Sequence, residues 1–400
     1  MTEDKYKEEV IDPGDKASKL AKEMCAESYQ NNQAVDIIPR QAGNFRGAVD
    51  FRWRKYILEM MLKGEMSETV QNDGAGGKLQ FPAFIGTEGV FYNCPWEIIS
   101  MCADDIARSG GFPVLMDNDI NAKRVTAQNF HLVESLFRGF SNALQKANLI
   151  NITGEFAIMK HSVTAFCDID NPRQLIMNWS GSCIGLTHKN KVIDGSKIEP
   201  GMPIVGFWEP GYRCNGGTFF TNLIFKVFGP KIRDILDNPR AFEFIKKLCA
   251  PSVSYAKIIT TANGWNEDGS INKPRVIITG IAHITGGGIW SKLKECLPNN
   301  MGAVLDGMPK PTDVLLEAQE MSWDIPNLRL TDLQAHGTLH GGCGMLVICG
   351  SDPNILINIA EKEDVKAYIV GYTKAIKNKE IRIQSRFKEG RVLSSKELEQ

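Results

Sequence analysis

The chain has 400 residues, a formal net charge of -1, 43% apolar and 23% charged residues, a globular composition long enough for two or three domains. Its 46 Lys and Arg are scattered without a basic block, so neither nucleic acid nor an anionic membrane is expected as a partner. The opening has no apolar signal core, no apolar run is long enough to span a membrane, and the ten cysteines include no C-x-x-C pair; the expectation is a cytoplasmic protein with reduced thiols.

In chain order, the mixed-charge ends TEDKYKEE and SSKELEQ read as solvated termini. DPGDKASKLAKEMCAESYQ begins with turn chemistry and runs into a helix. RWRKYILEMMLKG (52–64) is short enough for either a helix or a strand. WEIISMCADDIARSGG (96–111) predicts an amphipathic helix, with Ile98, Ile99, Cys102, Ile106 and Ala107 near one face and two glycines ending it. A stronger helix is expected over 127–149, where Val133, Leu136, Phe137, Phe140 and Leu144 recur at three- and four-residue steps. Strands are expected at 112–117, LINITGE and WSGSCIGLTH.

A Gly- and Pro-dense stretch then marks a domain boundary near 190–200. Beyond it, NLIFKVFG, PRAFEFIKKLCA and DPNILINIAEKE read as helices. RVIITGIAHI, GMLVICG, KAYIVGYT and EIRIQSRF read as strands, and GGGIWSKLKECLP as a loop opening into a helix. Such alternation predicts an α+β or α/β pair of domains.

Two stretches have the residue types for phosphate chemistry. QNDGAGGKLQF (71–81) places Asp73, Gly74, Gly76, Gly77 and Lys78 where a strand ends. It fits neither a Walker loop nor G-x-G-x-x-G. Alone it reads as a tight turn, with a phosphate seat as the alternative. IAHITGGGIW (281–290) sets Gly286, Gly287 and Gly288 between a strand and a helix, where unpaired first-turn N–H groups attract anions. His283 stands open as a proton carrier or a satisfied structural histidine. Asp104 and Asp105, side by side on a helix, read as a solvated face. If Asp104, Asp105 and Glu155 met in one site, each pair would repel by about 4 kcal/mol at 4 Å, so they would converge only around divalent cations.

These pieces stand in an order that resembles the aminoimidazole ribonucleotide synthetase (phosphoribosylformylglycinamidine cyclo-ligase) family, over roughly residues 6–375. YKEEVIDPGDKASKLAKEM, QAGNFRGAVDF, NDGAGGK, MCADDIARSGGFPVLMD, ITGEFAIM, VIDGSKIEPGMPIVGF, RCNGGTFF and TLHGGCGMLVI each parallel a family segment, and IAHITGGG most specifically. The resemblance implies an α+β, two-domain fold. Residues 1–195 would be an ATP-binding domain that forms a β-barrel with a second copy in a homodimer, and 196–400 a C-terminal α/β sandwich. It implies ATP held by Asp73, Gly74, Gly76, Gly77, Lys78 and Gly286 to Gly288, and Mg²⁺ held by Asp73, Asp105 and Glu155. Lys78, His283 and Asn215 would form the catalytic set. The implied reaction phosphorylates the formyl oxygen of formylglycinamidine ribonucleotide; an amidine nitrogen then closes the imidazole ring and expels phosphate.

The chain departs from the family pattern at Gly77, Asp104, Phe156, Arg213-Cys214 and His340. Arg213 stands where the family has histidine and offers a bidentate phosphate clamp. Two other readings follow from the departures: a related Mg-ATP enzyme acting on another small acceptor, or a non-catalytic nucleotide-binding paralogue.

Overall fold

The computed structural model describes residues 12–39 and 49–399. The expected solvated start, the opening motif up to residue 11 and most of the 41–51 motif lie outside the described residues. The first part of the chain contains α1 (Pro13–Ser28), β1 (Val35–Pro39), β2 (Val49–Trp53), α2 (Lys55–Leu62) and β3 (Met66–Gly74). There follow α3 (Gln80–Ile85), α4 (Glu88–Asn93), α5 (Pro95–Arg108), β4 (Phe112–Ala122), α6 (Phe130–Ala147), β5 (Ile150–Ile158) and β6 (Met177–His188). The ambiguous 52–64 stretch therefore splits, its start closing β2 and its remainder forming α2. In α6 the apolar periodicity acts as expected: Val133, Leu136, Phe137, Phe140 and Leu144 are buried, and Asn148 ends the helix in a left-handed conformation.

The second part contains β7 (Pro203–Trp208), α7 (Gly217–Phe228), α8 (Ile232–Leu236), α9 (Pro239–Leu248), α10 (Ala256–Asn263), β8 (Ile278–His283) and α11 (Gly288–Cys296). It continues through β9 (Gly302–Leu305), α12 (Asp313–Ser322), α13 (Asp332–Thr338), β10 (Cys343–Cys349), α14 (Pro353–Lys362), β11 (Ala367–Lys374), β12 (Ile381–Gln384) and β13 (Val392–Ser394). The C-terminal tail is anchored and only partly solvated: Ser395 is buried and its hydroxyl accepts from the Ile381 N–H, Lys396 lies 2.8 Å from Glu380, and Lys396 and Leu398 are exposed.

Two sheets divide the chain. The smaller has the order β3-β6-β4-β5, antiparallel except for the β4–β5 pair. The larger has the order β13-β12-β9-β11-β7-β10-β8, with β12–β9 parallel. The fold is mixed α+β, as expected. No sheet closes into a barrel among the described residues, since the small sheet is an open ladder ending at β3 and β5. A separate β1–β2 hairpin packs with α2 in an apolar cluster that includes Phe112, Leu115 and Leu186 of the small sheet.

α5 decides how the two parts meet. Ile98, Ile99, Cys102, Ala103 and Ile106 share one core with Val205 and Phe207 of β7, Ile281 of β8, and Met345 and Val347 of β10. The expected amphipathic helix is instead buried nearly all round, including Glu97, Ser100 and Asp104. It lies between the small sheet and the second part of the chain, so its polar side faces protein rather than water. Buried carboxylates there require partners, and those partners define the candidate site.

Candidate functional site

β3 ends at Gly74, and a 3-10 turn over Gly76–Leu79 follows. This turn rests against the loop joining β7 to α7. Gly76 has a φ of +57°, and a Cβ there would stand 3.0 Å from the Cys214 carbonyl oxygen; a Cβ on Gly217 would stand 3.4 Å from the Gly77 Cα. The two backbones approach so closely because neither side has a side chain at the contact. Asn215, in the same loop, has its Oδ1 3.6 Å from the Cβ position of Gly286. The structure thus brings together Gly76, Gly77, Asn215 and Gly286, which sequence spacing alone could not join. Gly288 serves packing: its φ is +59°, and a Cβ would fall 2.1 Å from the His336 carbonyl oxygen.

Lys78 lies elsewhere than expected. Its side chain is 1% exposed, its ammonium is 2.8 Å from Glu97, and it donates to the Ala250 carbonyl and the Ser252 hydroxyl. It faces the interior and ties the turn to α5 and to the loop before α10. Arg213 is likewise no free phosphate clamp. It is buried with a φ of +62°, and donates to Glu209 at 2.5 Å, to Asp104 at 2.9 Å and to the Val253 carbonyl. Asp104, expected on a solvated face, is fully buried. It also accepts from Ser254 and from the N–H groups of Tyr255 and Ala256 at the start of α10, where the helix dipole favours an anion. Glu209 takes a further bond from the Tyr255 hydroxyl at 2.9 Å. Burial and then the surrounding charges act in opposition on these carboxyls, and burial leaves both Asp104 and Glu209 raised from their ordinary values.

Asp105 is the site's accessible carboxylate. Its Oδ1 lies 2.8 Å from His283 Nδ1 and 3.1 Å from Arg108 Nε, and the side chain is 20% exposed. It borders a cleft of about 200 Å³ together with Gln71, Arg108, Asp194 and Glu295. Burial opposes its charge, but the His283 bond and the nearby cations hold its pKa below the ordinary carboxylate range. His283 itself is 1% exposed, and both ring nitrogens are engaged: Nε2 meets Arg213 at 2.7 Å, Nδ1 meets Asp105. A guanidinium can only donate, so Nε2 accepts and the proton sits on Nδ1, donated to Asp105. Burial pushes the His283 pKa down. Of the two readings left open, the satisfied histidine fits: it orients Asp105 rather than meeting a substrate.

The expected three-carboxylate set does not assemble on one face. Asp73 pairs with Gly181 in the ladder, and a Cβ on Gly181 would point toward Ile98 of α5, so Asp73 lies on the helix-covered face. Glu155 pairs with Asp119 on the opposite, open face. There Asp117, Asp119 and Glu155 border a cleft of about 540 Å³ with Lys22 and Ser180. Among the described residues, no group of three or more His, Cys, Asp or Glu side chains is placed to hold a metal ion. All ten cysteines are free, and no described helix is long and apolar enough to cross a membrane.

Sequence reasoning missed Glu97 and Glu209. The signal for Glu97 was its position on the same helix as Asp104, one turn and more earlier; for Glu209, its place four residues before Arg213 in a Gly- and Pro-dense loop. His340, one of the departures, bonds through Nε2 to the Gly211 carbonyl and through Nδ1 to the Gly342 N–H, fixing that loop.

Residues 269–384 match the family model described as AIR synthase related protein, C-terminal domain. The chain is 26% identical over 343 residues to the phosphoribosylformylglycinamidine cyclo-ligase of Oceanobacillus iheyensis, covering 82% of this chain and 85% of that relative. It is 25% identical over 374 residues to the enzyme of the same name from Acetivibrio thermocellus, covering 92% and 96%. Among solved structures, thiamine-monophosphate kinase from Stenotrophomonas maltophilia K279a shares the fold with a TM-score of 0.55 at 12% identity, covering 90% of this chain and 95% of that one. Hydrogenase maturation protein HypE in complex with ATP does so with a TM-score of 0.54 at 12% identity, covering 94% and 92%.

Proposed function

We infer that this chain, which belongs to the AIR synthase-related superfamily, transfers the terminal phosphoryl group of ATP to a small acceptor. We take that acceptor to be formylglycinamidine ribonucleotide, closed to aminoimidazole ribonucleotide in purine biosynthesis. The observation supporting this most is the meeting of the Gly76–Gly77 turn, Asn215 and Gly286 from two distant parts of the chain. Backbone N–H groups without intervening side chains suit the oxygens of a polyphosphate. Mg-ATP, when bound, supplies the phosphoryl group. Magnesium needs only one or two carboxylates beside phosphate oxygens. Asp73 and Asp105 fit that requirement, and Asp105 keeps Oδ2 without a protein partner among the described residues. Glu155, on the open face with Asp117 and Asp119, stands apart from that pair.

In this reading the protein's own residues position and neutralise charge, which dominates phosphoryl transfer. His283 holds Asp105 ionised and aimed at the cleft. Lys78 and Arg213 fix the two glycine loops through Glu97, Glu209 and Asp104. A second copy would meet the open small sheet and complete a barrel in a cytoplasmic homodimer. The test is direct. Purified protein given Mg-ATP and formylglycinamidine ribonucleotide should form aminoimidazole ribonucleotide, seen by diazo coupling, with matching ADP; ATP binding without product overturns the assigned acceptor.

A related enzyme acting on another acceptor is favoured by one observation. Arg213 and Cys214 stand where the family resemblance places a histidine and a serine, and both are buried against α5 rather than open to solvent. ADP release with a different small acceptor would support that reading, and ATP binding without turnover of any acceptor would support a non-catalytic nucleotide-binding paralogue.

A further inference from the structure

A second cavity, of about 490 Å³, lies away from the glycine loops. It sits where the start of α5, the end of α6, the loop before α10 and the end of α14 come together. Its volume is in the range of sites that enclose a small organic ligand. Trp96 lines it, and Trp96 is unusual. Of the chain's seven tryptophans, it alone has neither a ring contact nor a hydrogen bond among the described residues. Trp53, Trp265 and Trp290 have both, Trp179 meets Phe140, and Trp208 and Trp323 lie under cations. Trp96 packs against the core and borders the cavity, where an indole offers a planar ring a surface to stack on.

The rest of the wall fits that role. Pro210, Pro251 and Val253 supply apolar surface. Lys146 and Lys362, in the last turns of α6 and α14, enter the lining from two sides and make no ion pair among the described residues. Lys257 is held by Glu363 at 3.1 Å, and Asp364 is the remaining rim carboxylate, so positive charge is in excess. Two exposed lysines of the lining, neither in an ion pair among the described residues, beside an aromatic ring favour a flat ligand with an anionic end.

We propose that this cavity is a binding site for an aromatic anion, a planar ring carrying a phosphate or a carboxylate, stacked on Trp96 and held by Lys146 and Lys362. The site is independent of the phosphoryl-transfer reading. It is linked to the buried ion network all the same, because Ser252 and Ser254 of its wall donate to Glu97 and Asp104.

Isothermal titration of the full-length protein, without magnesium or ATP, tests this with adenosine monophosphate, phenyl phosphate and indole-3-carboxylate as probes. At least one should bind with a Kd below about 1 mM. Preference for the phosphates would identify a phosphorylated aromatic, preference for the carboxylate an aromatic acid. Neutral adenosine should bind about tenfold more weakly or worse. The Lys146→Glu/Lys362→Glu variant should weaken the bound probe by about tenfold or more while leaving ATP turnover unchanged, and Trp96→Ala should do likewise, with Trp96→Phe restoring binding to within about threefold. Asp105→Asn should bind the probe as the wild type does, which separates this site from the reaction. No binding by any probe at about 5 mM, or binding indifferent to the paired lysine substitutions, overturns the proposal.

Discussion

Replacing Arg213 with methionine removes the cation at the centre of the buried network and leaves Asp104 and Glu209 facing one another's charge without it. Arg213 lies 2.9 Å from Asp104 and 2.5 Å from Glu209, and all three are at most 1% exposed. At an effective dielectric of about 20, the Asp104 contact alone represents an attraction of roughly 6 kcal/mol. The net loss is smaller, because desolvation offsets much of that attraction and Lys78 remains nearby. Truncating one partner of a buried pair typically costs about 3–5 kcal/mol. For 400 residues, unfolding entropy of about 2 cal/mol/K per residue turns 4 kcal/mol into a drop in Tm of roughly 5 °C. Differential scanning calorimetry of wild type, Arg213→Met, Asp104→Asn and the double variant measures it. Asp104→Asn should be markedly less harmful once Arg213 is gone, with a coupling of about 2 kcal/mol or more. An Arg213→Met protein melting within about 1 °C of wild type, or a coupling near zero, would show that the charges do not hold the two parts of the chain together.

Two further predictions concern the reaction and the acid limb of stability. Asp105→Asn should lower turnover by about a hundredfold or more with the fold retained; wild-type rates in that variant would refute its proposed metal role. Burial holds His336 at a pKa of about 4 and His340 at about 3, both below the ordinary 6.5. Below pH 6.5 the unfolded chain takes up protons that these rings refuse in the folded state. Stability from their neutrality is therefore complete above 6.5 and falls with pH until each folded value is reached. Between pH 8 and pH 5 each histidine should subtract about 2 kcal/mol. Urea midpoints across that range should shift less for His340→Gln than for wild type, and identical shifts would contradict the assignment.

Local chemistry made much of this fold legible before any coordinates. The 127–149 helix followed from apolar residues at three- and four-residue steps, and the 281–290 strand-to-helix turn from its glycines. Both depend on neighbours close in sequence. The helix over 96–111 was found in the right place but misread in its surroundings, because periodicity counts apolar positions and says nothing of what covers the remaining face. Asp104 reads as a solvated acid on its own helix; it is a buried anion because Arg213, 109 residues later, folds over it. The family resemblance implies Lys78 as a phosphate ligand, yet Glu97 and the Ala250 carbonyl take its ammonium inside.

The sequence alone determined the α+β pattern, the position of both glycine turns and the acidic residues available near them. Tertiary structure decided which of those residues meet. Asp73 and Glu155 lie on β3 and β5, the two edges of the small sheet, and strand alternation sends their side chains to opposite faces; that parity depends on ladder register rather than on residue type. Long-range contact also bears on His283, which the sequence left open as a proton carrier or a satisfied histidine, since both of its partners come from other elements. Charge burial is a property of the assembled chain, so no local pattern could reveal it.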